Sequence, residues 1–240
     1  MALVGIYSYP KSGNTWVRGI IAAAMNASAK AIPDLHERPL SDAKEFQGFR
    51  FFKHHGRKNV TKWRGQDIHA THIIHIRRNP LDVFASYLNF ISANVTNTAS
   101  IPFDSVESIL GTDLFDLYFS SFIITGHIAP EFSIDTGDYF SHNKYWMNFN
   151  NKPIAHIRYE DLLSDPIKTL GFLKEWLKIG DLDLEIMLAR ANKDTQKNGK
   201  FFWKQKAKNY LDYLSREQID LFLKYRGEEC RALGYAPEDF

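Results

Sequence analysis

Cysteine is almost absent from this chain. Cys230 stands alone, which excludes an intramolecular disulfide framework and a zinc cluster built of cysteines, and makes a reducing cytoplasm the expected compartment. A dominant charge is missing as well: 30 Lys and Arg stand against 28 Asp and Glu, a formal net charge of +2. That imbalance is too small to argue for a nucleic-acid partner, so any anionic ligand must be held by local clusters. No apolar run approaches the roughly 18 residues of a membrane-spanning helix. The first residues already read as a strand, so no signal peptide is expected either. Repeats and low-complexity tracts are lacking, and so is any motif in residues 224–235 that would report an oligomeric state. Hydrophobic content of 44% and charged content of 24% suit an ordinary globule. A length of 240 residues suits one domain, 1–240.

What is present is a series of short apolar runs, at residues 2–9, 49–54, 72–77 and 153–159, each the length of a buried strand. Helical patterns occupy 15–27, 81–90, 106–125, 139–149, 166–177 and 216–233. Pro80 suits a first helical turn. Asp165-Pro166 is a good cap and first-turn pair, and Ser215 with Gln218 makes a capping box. Strands separated by helices predict an α/β fold, a mostly parallel sheet flanked by helices, with ligands at the carboxyl ends of the strands.

The most informative string is Tyr9-Pro10-Lys11-Ser12-Gly13-Asn14-Thr15-Trp16, placed between the first strand and the first helix. Free backbone N–H groups and the positive end of a helix dipole suit an anion there. Lys11 adds a full charge, while Ser12, Asn14 and Thr15 add donors. Gly5 stands at the Walker spacing, but Pro10 replaces the second Walker glycine, so the ordinary nucleotide loop is broken. The string resembles instead the phosphosulfate loop of sulfotransferases that use 3′-phosphoadenosine 5′-phosphosulfate (PAPS), with Asn14 in place of a hydroxyl residue.

Three further strings extend the resemblance in order, to about residue 178. Arg78-Asn79-Pro80-Leu81-Asp82-Val83-Phe84-Ala85-Ser86 follows the third strand. In the family its arginine and serine hold the 3′-phosphate, and a guanidinium fork suits that group. Lys53-His54-His55 ends the second strand and is similar to the family's Lys-Thr-His, which implies His55 as general base and Lys53 beside the sulfuryl oxygens. Strand alternation points His54 and His55 to opposite faces, so the sequence leaves either as the base. Tyr159-Glu160-Asp161-Leu162 is similar to the segment whose tyrosine meets the adenine, and Trp16 would lie on the same base.

The resemblance implies a metal-independent enzyme that moves a sulfuryl group from PAPS to a hydroxyl, or less readily an amine, and releases 3′,5′-adenosine bisphosphate. Catalytic His55, Lys11 and Lys53 would act on a nucleotide held by Lys11, Ser12, Gly13, Asn14, Thr15, Trp16, Arg78, Ser86, Tyr159 and Lys204. The expected acceptor is a small molecule, lipid or carbohydrate, held by segments 28–48 and 92–137 with their Asp34, His36, Phe115, Phe119, Phe122 and Phe132. The sequence departs from the family at the late loop, where Trp203-Lys204-Gln205 lacks the family's arginine and glycines and only lysines remain. Two other readings stand beside this one. A P-loop kinase would need an aspartate at a strand end, where Arg77-Arg78 sits. A non-catalytic nucleotide-binding relic would explain the altered late loop.

Overall fold

The computed structural model describes residues 1–63, 65–93, 103–127, 135–196 and 206–240. Seven strands are described: β1 (Ala2–Ser8), β2 (Glu45–Phe46), β3 (Phe49–His54), β4 (Val60–Trp63), β5 (Gln66–His69), β6 (His72–Arg77) and β7 (Ile154–Arg158). The main sheet has the order β2-β3-β1-β6-β7. β3, β1, β6 and β7 run parallel, and β2 pairs antiparallel to β3. β4 and β5 form a separate hairpin.

The helices with most bearing on the site are α1 (Asn14–Ala24), α2 (Pro80–Ala93) and α5 (Tyr139–Met147). Between α2 and α5 come α3 (Val106–Ile109) and α4 (Asp113–Thr125). After β7 come α6 (Tyr159–Ser164), α7 (Pro166–Thr169), α8 (Phe172–Leu177), α9 (Asp181–Gln196) and α10 (Arg216–Ala232).

Alternation along the parallel strands covers both faces of the sheet. Val4, Ile6, Phe51, Ile74 and Ile76 pack on one side with Val17, Ile20 and Ile21 of α1 and with Leu184 and Met187 of α9. Tyr7, Phe52 and Ile73 pack on the other with Trp146 of α5. Each fully buried aliphatic or aromatic side chain contributes about 1.5–3 kcal/mol.

Several expectations are corrected by the structure. The pattern 106–125 is two helices, because Leu110 leaves helical geometry and Gly111 takes φ 72°. The pattern 166–177 is also divided, with Asp165 accepting from the Lys168 N–H at its start. Tyr159 opens α6 instead of closing β7. The β4–β5 hairpin and α9 went unforeseen. The Ser215–Gln218 box forms in both directions, at 3.3 and 2.9 Å.

Candidate active site

Parallel pairing sets the carboxyl ends of β3, β1, β6 and β7 side by side. Tyr7 is level with both His54 and His75, and Arg77 is level with Arg158. The residues that follow each strand therefore leave the sheet along one edge: His55, the loop 9–13, Arg78 and Tyr159. Neighbouring strands lie about 4.8 Å apart, so register alone gathers segments distant in sequence.

In the loop after β1, Lys11 (φ 67°) and Gly13 (φ 98°) both take left-handed backbone. A Cβ on Gly13 would lie 2.5 Å from Cδ2 of Tyr159, so conformation and close approach both require glycine. The N–H groups of Gly13, Asn14 and Thr15 donate to no carbonyl among the described residues, as expected of a first helical turn. Ser12 is buried, and its Oγ has no hydrogen-bond partner among the described residues. Leaving such a group unsatisfied costs about 1–3 kcal/mol. Asn14 is directed inward: its Nδ2 donates to the Ser8 Oγ at 3.1 Å and the Ile6 carbonyl at 3.3 Å. Its amide fastens the loop to β1, while Thr15 is exposed.

The Lys11 ammonium lies 4.5 Å from the centre of the Phe90 ring. Burial, then repulsion from Arg78, lowers its pKa to about 8. Arg78 is only 7% exposed. Its contacts are loose: Nη1 donates to the Lys11 carbonyl at 3.4 Å, Nη2 to that of Lys206 at 3.3 Å, and Nε lies 3.9 Å from Asp82. Its guanidinium carbon sits 4.4 Å from the centre of the Tyr159 ring. A buried fork with long bonds, whose paired carboxylate Asp82 stands 3.9 Å off, keeps donor capacity for an anion.

Asp82, Ser86 and Phe90 recur every four residues on α2 and so share one face. Asp82 marks the Arg78 end of that stripe and Phe90 the Lys11 end, with the half-buried Ser86 between them. Asp82 also accepts the N–H groups of Lys208, at 2.8 Å, and Tyr210, at 3.3 Å. The chain following the basic late segment is thereby pinned beside Arg78. Lys204 itself lies outside the described residues.

At the end of β3 the two histidines separate. Nδ1 of His55 lies 2.7 Å from the Ser8 carbonyl oxygen, which can only accept, so Nδ1 carries the proton and Nε2 keeps a lone pair. Burial, with Lys53 nearby, holds the His55 pKa well below the usual imidazole value despite that bond. His54 uses its Nδ1 to accept the Gly56 N–H at 2.8 Å, and its ring lies edge-on to Tyr7. Burial, then the charges of His36 and Lys53, lowers its pKa to about 3.

Lys53 is 8% exposed and its ammonium is paired with Asp34. The two residues also form an isolated parallel bridge. Burial lowers the Lys53 pKa against the opposing pull of Asp34. Burial would raise the Asp34 carboxyl, but the Lys53 charge and hydrogen bond outweigh it and hold it below the usual range. His36 accepts the His55 N–H through Nε2 at 3.2 Å, and its ring stacks on His54 with centroids 4.3 Å apart.

Trp16 is buried; its indole N–H donates to Asn192 at 3.0 Å and its ring meets Tyr159 edge-on at 5.8 Å. Phe115, Phe119 and Phe122 are buried in the helical core with Phe84, not displayed in open space. Phe132 lies outside the described residues. Among the described residues no group of three or more His, Cys, Asp or Glu could hold a metal ion.

The sulfotransferase domain family matches residues 4–234. This chain belongs to the sulfotransferase domain family. No curated protein matches the sequence. Among solved structures it is similar to a mouse sulfotransferase, SULT7A1, complexed with PAP, at 16% identity and TM-score 0.61 over 97% of this chain and 87% of that one. It is also similar to retinol dehydratase in complex with androsterone and inactive cofactor PAP, at 14% identity and TM-score 0.63, covering 99% and 83% of the two chains. A retinol complex of retinol dehydratase with PAP matches at 16% identity and TM-score 0.62, over 95% and 81%.

Within this sulfotransferase fold the sequence strings locate the strand-end residues but miss their partners. Asp34 and His36 were expected only as pocket residues, although they hold Lys53 and His55. Asn192 carried no signal, because its role depends on α9 packing against α1. Asp82 was legible in its string, but its grip on 208–210 was not.

Proposed function

We propose that this protein transfers a sulfuryl group from PAPS to a hydroxyl of a small-molecule, lipid or carbohydrate acceptor, with an amine as a less favoured acceptor. His55 is the general base. The observation that carries the reading is the His55 Nδ1 contact with the Ser8 carbonyl, which favours the tautomer whose Nε2 lone pair can take a proton.

The residues fit a bisphosphate nucleotide by their unsatisfied groups. The N–H groups of residues 13–15 and the Ser12 Oγ, which find no partner among the described residues, suit the 5′-phosphosulfate. The loosely held Arg78 fork, with Ser86 on the adjoining helix face, suits the 3′-phosphate. Trp16 and Tyr159 are the aromatic residues on the adenine side, and Lys204 comes from the late basic segment. When bound, PAPS supplies a sulfur whose bond to the 5′-phosphate breaks as the acceptor oxygen bonds to it, leaving 3′,5′-adenosine bisphosphate.

His55 takes the acceptor proton on Nε2. Lys11 offsets negative charge on the departing phosphate oxygen, and Lys53 does so on the sulfuryl oxygens. Positioning and electrostatics supply most of the rate, as in phosphoryl transfer. The test is transfer of radiolabelled sulfate from PAPS to phenol, sterol, alcohol, amine and sugar acceptors, with His55→Ala as control. Label in a product with the native protein and none with the variant supports the reading. Tight binding of 3′,5′-adenosine bisphosphate without transfer to any acceptor class overturns it in favour of a nucleotide-binding relic.

A further inference from the structure

The corner between β6 and α2, where Arg78 sits, is held from beneath by groups with no place in the chemistry above. Oε1 of Glu160 accepts the Asn79 backbone N–H at 2.8 Å. Its Oε2 accepts the Tyr235 hydroxyl at 3.3 Å and lies 3.4 Å from Nε of Arg158. The Tyr139 hydroxyl donates to the Arg78 carbonyl at 2.6 Å. Asn79 closes the corner: its Nδ2 donates to the Asp239 carbonyl at 3.2 Å, and its Oδ1 accepts the Leu81 N–H at 2.9 Å. Both backbone polar groups of the Arg78–Asn79 peptide unit are therefore satisfied by side chains from other elements. The side chain preceding Glu160 is Tyr159, whose ring supports the Arg78 guanidinium. One short stretch at the start of α6 thus holds both the backbone and the side chain of the same arginine.

We infer that Glu160 is a positioning residue for recognition of the nucleotide's 3′-phosphate, fixing the Arg78–Asn79 peptide so that the guanidinium faces the cleft. This rests on the reading of Arg78 given above. A fork with two bonds to offer loses selectivity when its backbone drifts, because bidentate geometry is demanding. The Oε1 contact with the Asn79 N–H needs an acceptor oxygen and not a full charge, unlike the Oε2 contact with Arg158. Burial raises the Glu160 carboxyl pKa, opposed by the Asn79 hydrogen bond, and glutamine retains the acceptor.

The experiment measures dissociation constants for 3′,5′-adenosine bisphosphate and for adenosine 5′-phosphosulfate, which lacks the 3′-phosphate. The proteins are native, Arg78→Ala, Glu160→Ala, Glu160→Gln and Tyr139→Phe, with thermal unfolding as the fold check. Glu160→Ala should weaken the bisphosphate about tenfold or more and the phosphosulfate less than about threefold. Glu160→Gln should stay within about threefold of native for both. If Glu160→Ala does not fold, Tyr139→Phe carries the test, since it removes the hold on the adjoining carbonyl and should show the same selective loss. Equal losses for both nucleotides in the folded variants, or a glutamine as damaging as alanine, overturn the inference while a selective loss in Arg78→Ala leaves the site reading standing. No selective loss in Arg78→Ala overturns both.

Discussion

His55 and Ser8 are joined end to end: the imidazole Nδ1 lies 2.7 Å from the carbonyl oxygen that closes β1. This bond ties the proposed base to the strand that feeds the loop at 9–13. His55→Ala should lower kcat about 10²–10⁴-fold, the usual worth of a general base, with nucleotide affinity nearly unchanged. His55→Gln keeps polarity without basicity and should fare no better. His54→Ala should be mild, and steady-state kinetics of the three variants decide. An inactive His54→Ala beside an active His55→Ala would move the role to His54. Because burial holds the His55 pKa well below 6.5, its neutral form persists through neutrality. The acid limb of kcat should therefore fall below pH 6.5.

On the proposed reading Lys11 should link nucleotide binding to pH. Its pKa in the free protein is lowered to about 8, and a bound anion raises it. The sign follows: affinity is full below about pH 8 and is lost as pH rises from the free towards the bound pKa, with proton uptake on binding. Calorimetry in buffers of different ionisation enthalpy should show that uptake at pH 8–9. Lys11→Arg, which stays charged, should abolish it; the same uptake in the variant would assign the proton elsewhere.

Gly13→Ala tests the loop geometry. Left-handed backbone costs a non-glycine residue roughly 1–2 kcal/mol, and the added carbon would meet Tyr159 at 2.5 and 2.7 Å. Displacing that ring also disturbs the support under Arg78. The variant should remain folded by circular dichroism yet bind 3′,5′-adenosine bisphosphate at least tenfold more weakly. Native-like affinity would show that the close approach is dispensable.

Asp34 neutralises Lys53 inside the protein. Asp34→Asn should leave a buried ammonium without its counter-ion, lowering kcat more than it changes nucleotide affinity. It should also lower stability by roughly 3–5 kcal/mol, the cost of breaking a buried pair from one side. Denaturant unfolding and initial rates together check this; unchanged stability would mean that the pair is not maintained in solution.

The late segment is expected to act through screened charge. Lys204→Ala should raise the PAPS dissociation constant at low salt and matter little at high salt, since exposed charges are screened within about 8–10 Å. A loss independent of salt would point to a specific contact.

The strand–loop–helix unit at residues 2–24 was legible because it depends on local features: an apolar run, a proline, a lysine, a glycine and a helical period. For the same reason the R-N-P string could be placed at a strand end, and the Ser215 cap could be read with its partner Gln218. The long helical pattern at 106–125 misled, because apolar periodicity continues across Gly111 although the backbone turns there. The aromatics of that stretch read as pocket walls, yet Phe115, Phe119 and Phe122 are buried in the core. Composition does not say which side of a helix faces its neighbours.

The sequence by itself determined the four parallel strands, the loop at 9–13 between the first strand and the first helix, and the residue types at each strand end, since those follow from neighbours along the chain. Only the tertiary structure decided that His55 turns its Nδ1 to the Ser8 carbonyl, that Lys53 is paired with Asp34, that Asp82 pins 208–210, and that Glu160 holds Asn79. These pairings join residues far apart in the chain. A hydrogen bond between them exists only once strand register and helix packing have set distance and direction to within a few tenths of an ångström.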